Sequence, residues 1–249
     1  MSKVLLVTGG GRGIGAAVAR KAAAEGYKVA VNYVSDMAAA EALVKEINAA
    51  GGEAFAIAGD VSRDADVVRM FDATEKRFGT ITHLVNNAGI TGRSSRLDKA
   101  SVETIRTCVD INVTGAILVA REAVKRMATS LGGAGGSIVN ISSAASTLGS
   151  PGEYVWYAAT KGAVESFTLG LAREVAEDNI RVNAVAPGLT DTEIHERSTH
   201  DKARMERLRP MIPLKRVGKP DEIADAIMYL LGDHATYITG AILRVTGGR

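Results

Sequence analysis

Lys3-Val4-Leu5-Leu6-Val7-Thr8-Gly9-Gly10-Gly11-Arg12-Gly13-Ile14-Gly15 is the stretch that decides the fold. A short apolar run of strand character breaks into a glycine cluster, and an Ala-rich segment of helical character follows to about residue 25. Strand, glycine turn and helix in that order open a nucleotide-binding βαβ unit. Only glycine lets the backbone turn tightly and approach a pyrophosphate, whose charge then sits at the N-terminus of the first helix. Gly11-x-Gly13-x-x-Ala16 meets the dinucleotide fingerprint, a weak signal alone that gains force from its place behind the first strand.

Working outward, strands are predicted at 28–33, 53–58, 81–86, 137–141, 181–186 and 242–245. Helices are predicted at 36–50, 64–78, 101–130, 157–177 and 220–231. Continuous apolar strands alternating with helices imply a parallel sheet covered on both faces, and right-handed crossovers fix its winding. The expected architecture is a single α/β domain over 1–249, a Rossmann-type doubly wound sheet of about seven strands in the order 3-2-1-4-5-6 and onward. The segment 189–213 is charged, poorly periodic and follows the carboxyl end of a strand, where open α/β sheets bind ligands, so it reads as a substrate lid. Its His195 and His200 lack a third ligand at recognisable spacing and read as surface residues, so no metal site is expected.

The chain has 249 residues, 46% of them apolar, enough for one sizeable core. Its 30 basic and 28 acidic residues leave a net charge of only +2 with no long block of one sign, which points away from nucleic acid and membrane surfaces. Cys108 is the single cysteine and reads as a small core residue, so neither an internal disulfide nor a cysteine metal site is available. The N-terminus runs straight into the first strand and no apolar stretch approaches ~18 residues, so a soluble cytoplasmic protein is expected.

Chemistry concentrates between Asn140 and Gly162. Ser143 closes an apolar strand, a Gly/Pro/Ser loop follows, and Tyr157 and Lys161 stand four apart on one face of a helix-forming segment. A phenol is a poor acid or base at neutral pH, but a cation one turn away and a helix N-terminus favour its ionised form, so the tyrosine pKa is expected to fall. Cofactor choice should be legible at the end of strand two, where NAD enzymes carry an acid for the ribose hydroxyls. Here Asn32 and Tyr33 end the strand without one, Asp36 comes late, and Arg12 adds a cation suited to a 2′-phosphate, so NADP(H) is preferred over NAD(H). Asn87, Ala88 and Gly89 follow strand four at another carboxyl edge, and Asn112 is a polar residue within a predicted helix.

Thr8-Gly9-x-x-x-Gly13-x-Gly15, Asp60-Val61, Asn86-Asn87-Ala88-Gly89, Asn112, Ser143, Tyr157-x-x-x-Lys161 and Pro187-Gly188 resemble, in order and spacing, the short-chain dehydrogenase/reductase family. The resemblance covers almost the whole chain. It implies that Tyr157 donates a proton to a substrate carbonyl, Ser143 holds that oxygen, Lys161 binds the nicotinamide ribose and lowers the tyrosine pKa, and Asn112 anchors a water in a proton relay. It also implies cofactor contacts from Gly9, Gly11, Arg12, Gly13, Ile14 and Gly15, from Asn32 and Tyr33, and from Asp60 and Val61. The same holds for Asn87, Ala88, Gly89 and Lys161, and for Pro187, Gly188, Thr190 and Thr192. Many members place the serine thirteen residues before the tyrosine, whereas Ser143 is fourteen before it, which leaves Ser142 as a lesser candidate. Val245-Thr246-Gly247-Gly248 stands where many have Val-Asp-Gly-Gly.

An NADP(H)-dependent carbonyl reductase or alcohol dehydrogenase acting on a small molecule is the first reading, and a 3-oxoacyl-thioester reductase its nearest rival. The region after Lys125-Arg126 lacks further cations for an acidic carrier protein, and Arg173 alone does not supply them. A sugar dehydrogenase remains open, as does a non-catalytic NADP-binding redox sensor. Family members are commonly tetramers, and the apolar breadth of the 157–177 helix is compatible with a symmetric interface in a homotetramer or dimer.

Overall fold

A computed structural model describes residues 3–193 and 204–249. Seven parallel strands form one sheet in the order 3-2-1-4-5-6-7, as the alternation predicts. They are β1 Val4–Val7, β2 Lys28–Tyr33, β3 Glu53–Ala58, β4 His83–Asn86, β5 Gly136–Ile141, β6 Ile180–Pro187 and β7 Ile242–Val245. The helices are α1 Gly13–Ala24, α2 Met37–Ala49, α3 Asp64–Phe78, α4 Val102–Val109, α5 Ala116–Met127, α6 Ala145–Leu148, α7 Val155–Glu174, α8 Arg204–Leu208 and α9 Pro220–Leu231. No helix among the described residues is long and apolar enough to cross a membrane.

The strands are nearly all apolar because each is covered on both faces. In β1 the alternation divides cleanly: Leu5 and Val7 pack with Val18 and Ala22 of α1, Leu43 of α2 and Ile227 of α9, all of them buried. Val4 and Leu6 face the opposite layer, with Phe71 of α3, Val119 and Met127 of α5, and Ala172 of α7. Each such side chain contributes about 1.5–3 kcal/mol through burial, so the two layers together fix the sheet's register. Val7 pairs with Val31 and Val85, Val85 with Val139, and Ile141 with Val185. That register lines up the carboxyl ends of β1, β4, β5 and β6 along one edge.

The expected helix 101–130 is three pieces. Ser101 caps α4 by accepting a hydrogen bond from Thr104 N at 3.1 Å, and a π-helical turn over Asp110–Gly115 then separates α4 from α5. Such turns accommodate an extra residue per turn and re-aim side chains, and this one carries Asn112. Of the segment 189–213, the described parts are 189–193 and 204–213; His195 and His200 lie outside the described residues. Thr190 bridges to Gly218 in parallel, which ties the start of this segment to the approach to α9.

Asn32 links the sheet to the glycine loop. Fully buried, it accepts from Gly9 N at 3.1 Å and turns its amide onto Gly59 O at 2.9 Å and Tyr33 O at 3.2 Å. Its own carbonyl accepts from Gly10 N at 2.8 Å. Removing this amide leaves buried backbone groups without partners, at roughly 1–3 kcal/mol each. Asn32→Ala is therefore expected to lower stability by about 2–4 kcal/mol, a fall of ~2–4 °C in Tm per kcal/mol. A thermal melt within about 1 °C of wild type would contradict this role.

Candidate active site

The aligned carboxyl edge opens into a cavity of about 580 Å³. Its wall includes Gly9, Arg12, Gly13 and Ile14 from the glycine loop, Asn87, Ala88 and Gly89 after β4, Ser143, Tyr157 and Lys161, and Pro187, Gly188, Thr190 and Thr192 after β6. The sequence motifs thus converge from across the chain on one volume of ligand-binding size.

The glycine loop is built for close approach. Gly9 and Gly13 adopt φ of +59° and +54°, in the left-handed region that favours glycine. A Cβ on Gly9 would stand 3.1 Å from Ala88 Cα. Arg12 precedes α1 without capping it through its side chain, and no acidic residue occupies the first turn, so the helix N-terminus is free for an anion. The loop is locked to β4 by Thr8 and Asn87: Thr8 Oγ1 accepts from Asn87 N at 2.9 Å and Ala88 N at 3.0 Å, and Asn87 Nδ2 donates to Thr8 O at 2.9 Å and Gly9 O at 3.0 Å. A nicotinamide dinucleotide fits this donor set and cradle. Arg12 Nη1 lies 3.4 Å from Asp36 Oδ2 and 3.7 Å from Glu193 Oε2 at the exposed mouth.

On the opposite wall, α7 carries Tyr157 and Lys161 one turn apart. Lys161 is buried, donates to Ile141 O at 2.7 Å, and holds its ammonium 5.6 Å from the centre of the Tyr157 ring. Ser143 stands beside the Tyr157 phenol, and its hydroxyl accepts from Ala145 N at 3.1 Å. Ser142, the lesser candidate, also lines the cavity, but its hydroxyl is engaged by Glu165 Oε1 at 2.8 Å and Lys161 O at 3.2 Å. Trp156 packs inward beside Tyr154 and Cys108, donating to Thr91 O at 2.8 Å.

The direction of the tyrosine shift reverses the expectation. Burial pushes the Tyr157 phenol up, with Ser143 opposing in part. Burial likewise pushes the Lys161 ammonium down to about 8. Both groups are enclosed, and a low-dielectric environment disfavours the charged form of each.

Several predicted residues stand behind the cavity wall. The Asn32 amide is committed to the glycine loop and strand ends, as above. Tyr33 is half-buried, and Asp60 accepts from Ser62 N at 2.9 Å and Ser62 Oγ at 2.7 Å ahead of α3. Val61 packs under Gly115, where a Cβ would meet its Cγ2 at 2.8 Å. Gly11 and Gly15 shape the turn without lining the cavity. Asn112 is buried just beneath Gly89, exchanging hydrogen bonds with the backbone of Ile90 at 2.8 Å in both directions and donating to Thr160 Oγ1 at 3.0 Å. The sequence singles out none of Ile90, Ile141 and Ala145 on the wall, whereas Arg93 and Tyr154 fall in the loops 91–97 and 148–155, on which pocket shape is expected to depend. Among the described residues no cluster of three metal-binding side chains occurs.

A glycine loop against a free helix N-terminus, with Ser143, Tyr157 and Lys161 across the cavity, defines an oxidoreductase of the short-chain dehydrogenase/reductase family, to which the chain belongs. The matching family model, described as Enoyl-(Acyl carrier protein) reductase, spans residues 9–249. The chain is 48% identical over 246 residues to the uncharacterized oxidoreductase YgfF of Escherichia coli (strain K12), covering 99% of both proteins. It is similar, with a TM-score of 0.90 and 34% identity over 99% of this chain and 97% of the other, to a short-chain dehydrogenase from Burkholderia cenocepacia J2315 solved with NADP. A 3-ketoacyl-(acyl-carrier-protein) reductase from Brucella melitensis, solved with NADH, gives a TM-score of 0.90 and 35% identity over 99% of this chain and 98% of the other.

The buried lysine has a stability consequence. Its pKa is about 8 when folded against an ordinary 10.5, so between those values the unfolded chain binds more protons and stability rises with pH. Below about 8 the folded protein carries the burden of a buried ammonium, on the order of 3 kcal/mol. Lys161→Met removes it. The melting temperature of the variant relative to wild type is expected to be higher at pH 7 than at pH 10, by ~2–4 °C per kcal/mol relieved; a difference independent of pH would refute the burial argument.

Proposed function

We propose that this protein is an NADP(H)-dependent carbonyl reductase, working in reverse as a secondary-alcohol dehydrogenase, with Tyr157 as general acid and base. The observation that carries the reading is a half-buried phenol kept neutral by its surroundings and open to the same cavity as the glycine loop, Ser143 and Lys161. The glycine loop, the residues after β4 and Lys161 would hold NADPH, which would supply the hydride for the carbonyl carbon. Tyr157 gives its proton to the carbonyl oxygen as that oxygen becomes an alkoxide, and in the alcohol direction it takes the proton back. Ser143 donates a hydrogen bond to the same oxygen, where the low dielectric makes it worth more than in water. Asn112 fixes the backbone at Ile90, and the family resemblance gives it the further role of anchoring a water in a proton relay.

The solved relatives divide between NADP and NADH, so the preference for NADP in this chain rests on Arg12. Its pairs with Asp36 and Glu193 are exposed and weak, about 0–1 kcal/mol each, and a 2′-phosphate competes with them through charge-assisted bonds. A 3-oxoacyl thioester is the second substrate reading, supported by the likeness to the Brucella melitensis enzyme. Exposed apolar side chains on α4 and α5 (Val102, Val109, Ile117) and on α7 (Leu169) support a symmetric assembly, a tetramer or dimer.

The test is oxidation of NADPH and NADH by the purified protein over ketones, aldehydes, 3-oxoacyl thioesters and sugars. Tyr157→Phe is expected to lower kcat by roughly 100-fold to 10,000-fold while NADPH affinity stays within about threefold. Tight NADPH binding with no turnover on any carbonyl or alcohol would instead identify a cofactor-binding sensor. Arg12→Ala is expected to raise KM for NADPH about tenfold and leave that for NADH nearly unchanged. Equal effects on both cofactors would overturn the assigned preference.

A further inference from the structure

Two tyrosines face the same cavity, and their hydroxyls have different surroundings. Tyr154, which precedes α7, has its ring edge-on to Tyr157 with centroids 5.5 Å apart and an interplanar angle of 89°. It is buried, and its hydroxyl accepts from Arg204 Nη2 at 2.5 Å. The same guanidinium, itself 5% exposed, donates to both oxygens of Glu153, from Nε at 3.0 Å and Nη2 at 2.7 Å, the two-point geometry that fixes a carboxylate plane. Glu153 in turn accepts from Ser95 N at 2.8 Å through its backbone carbonyl, and Trp156 holds Thr91 O. Three of the four residues Glu153–Trp156 thereby tie the N-terminus of α7 to the loop after β4 and to α8.

This arrangement ties the Tyr154 hydroxyl to Arg204. Burial pushes its phenol up to about 12, with Arg204 opposing and Glu153 adding to the rise. Its ring is left as a fixed aromatic surface on the cavity wall, in a neighbourhood that includes Ile90 and Ala145. We propose that Tyr154 is a specificity-determining wall of the carbonyl site, held by the Arg204–Glu153 ion pair, and that it favours carbonyl compounds with an aryl or other apolar flank over small polar ones. The inference rests on the reductase reading above. Arg204 and Glu153 act through Tyr154 as positioning residues.

The experiment compares kcat/KM for acetophenone with that for dihydroxyacetone, using NADPH, in wild type, Tyr154→Leu, Tyr154→Phe, Arg204→Met and Arg204→Lys, with thermal melts to verify folding. Tyr154→Leu is expected to narrow the aryl-over-polar ratio about tenfold or more, chiefly through the ketone KM, with KM for NADPH unchanged. Tyr154→Phe keeps the ring but loses the hydroxyl that Arg204 holds, so it narrows the ratio only in part, to about the same extent as Arg204→Met and less than Tyr154→Leu. Arg204→Met narrows the ratio in the same direction, and Arg204→Lys, which still pairs with Glu153, recovers part of it. The Arg204 variants keep the test open if the leucine variant does not fold. A ratio indifferent to residues 154 and 204, or a parallel rise in KM for NADPH, overturns the inference while leaving the reductase reading intact. A wild-type protein that binds NADPH and reduces neither these ketones nor any other carbonyl overturns both.

Discussion

No side chain fits at position 15. A Cβ there would stand 2.6 Å from Gly9 O, 2.8 Å from Asn87 Nδ2 and 2.9 Å from Gly10 Cα, so α1 reaches the loop after β1 only because the residue is glycine. That close approach sets the depth at which the helix N-terminus meets the cavity. It also brings the glycine loop between two asparagine amides. Asn32 takes Gly9 N from the β2 side and Asn87 takes Thr8 O and Gly9 O from the β4 side. A loop that would otherwise carry several unsatisfied peptide groups is thereby held rigid before any ligand arrives.

The same enclosure governs the chemistry on the opposite wall. A site open to water would let a lysine stabilise a neighbouring phenolate cheaply, but it would also weaken every interaction with a developing alkoxide. Here Tyr157 and Lys161 are driven toward their neutral forms from opposite directions. The phenol therefore holds its proton, which suits the proton-donor role proposed for it above. The lysine is the expensive member, since its ammonium is buried with a backbone carbonyl, Ile141 O, as its hydrogen-bond acceptor. Functional sites commonly retain this kind of local destabilisation.

Most of the architecture was legible in the sequence because it rests on local signals. Apolar runs of strand length, glycines at their ends and amphipathic helices between them determine a parallel sheet, and four-residue spacing places Tyr157 and Lys161 together without further information. What was not legible depends on pairing between distant segments. Asn32 reads as a strand-end polar residue, and only the β1–β2 and β2–β3 register shows that its amide reaches Gly9 and Gly59. Asp36 comes late for the acid expected at the end of strand two, yet as the cap of α2 it lies 3.4 Å from Arg12. Asn112 did announce itself as a polar residue inside a helix, but the π-helical turn that points it at Ile90 carries no simple sequence pattern. The sign of the Tyr157 shift was missed for the same reason, since burial is a property of the assembled wall rather than of the motif.

Tyr154 and Tyr157 show why a residue type and a cavity do not suffice to assign a role. Both are phenols, both lie on the same wall, and burial raises the pKa of each. They differ in who holds the hydroxyl. A guanidinium fixed by a carboxylate holds that of Tyr154, an arrangement that gains little from any change in protonation and resists movement. Tyr157 has only a small neutral hydroxyl, that of Ser143, beside it, one that can donate to a substrate carbonyl oxygen. On the proposed reading, the tyrosine without a charged partner is the one left to exchange a proton with a substrate, and the charged partner gives the other its rigidity.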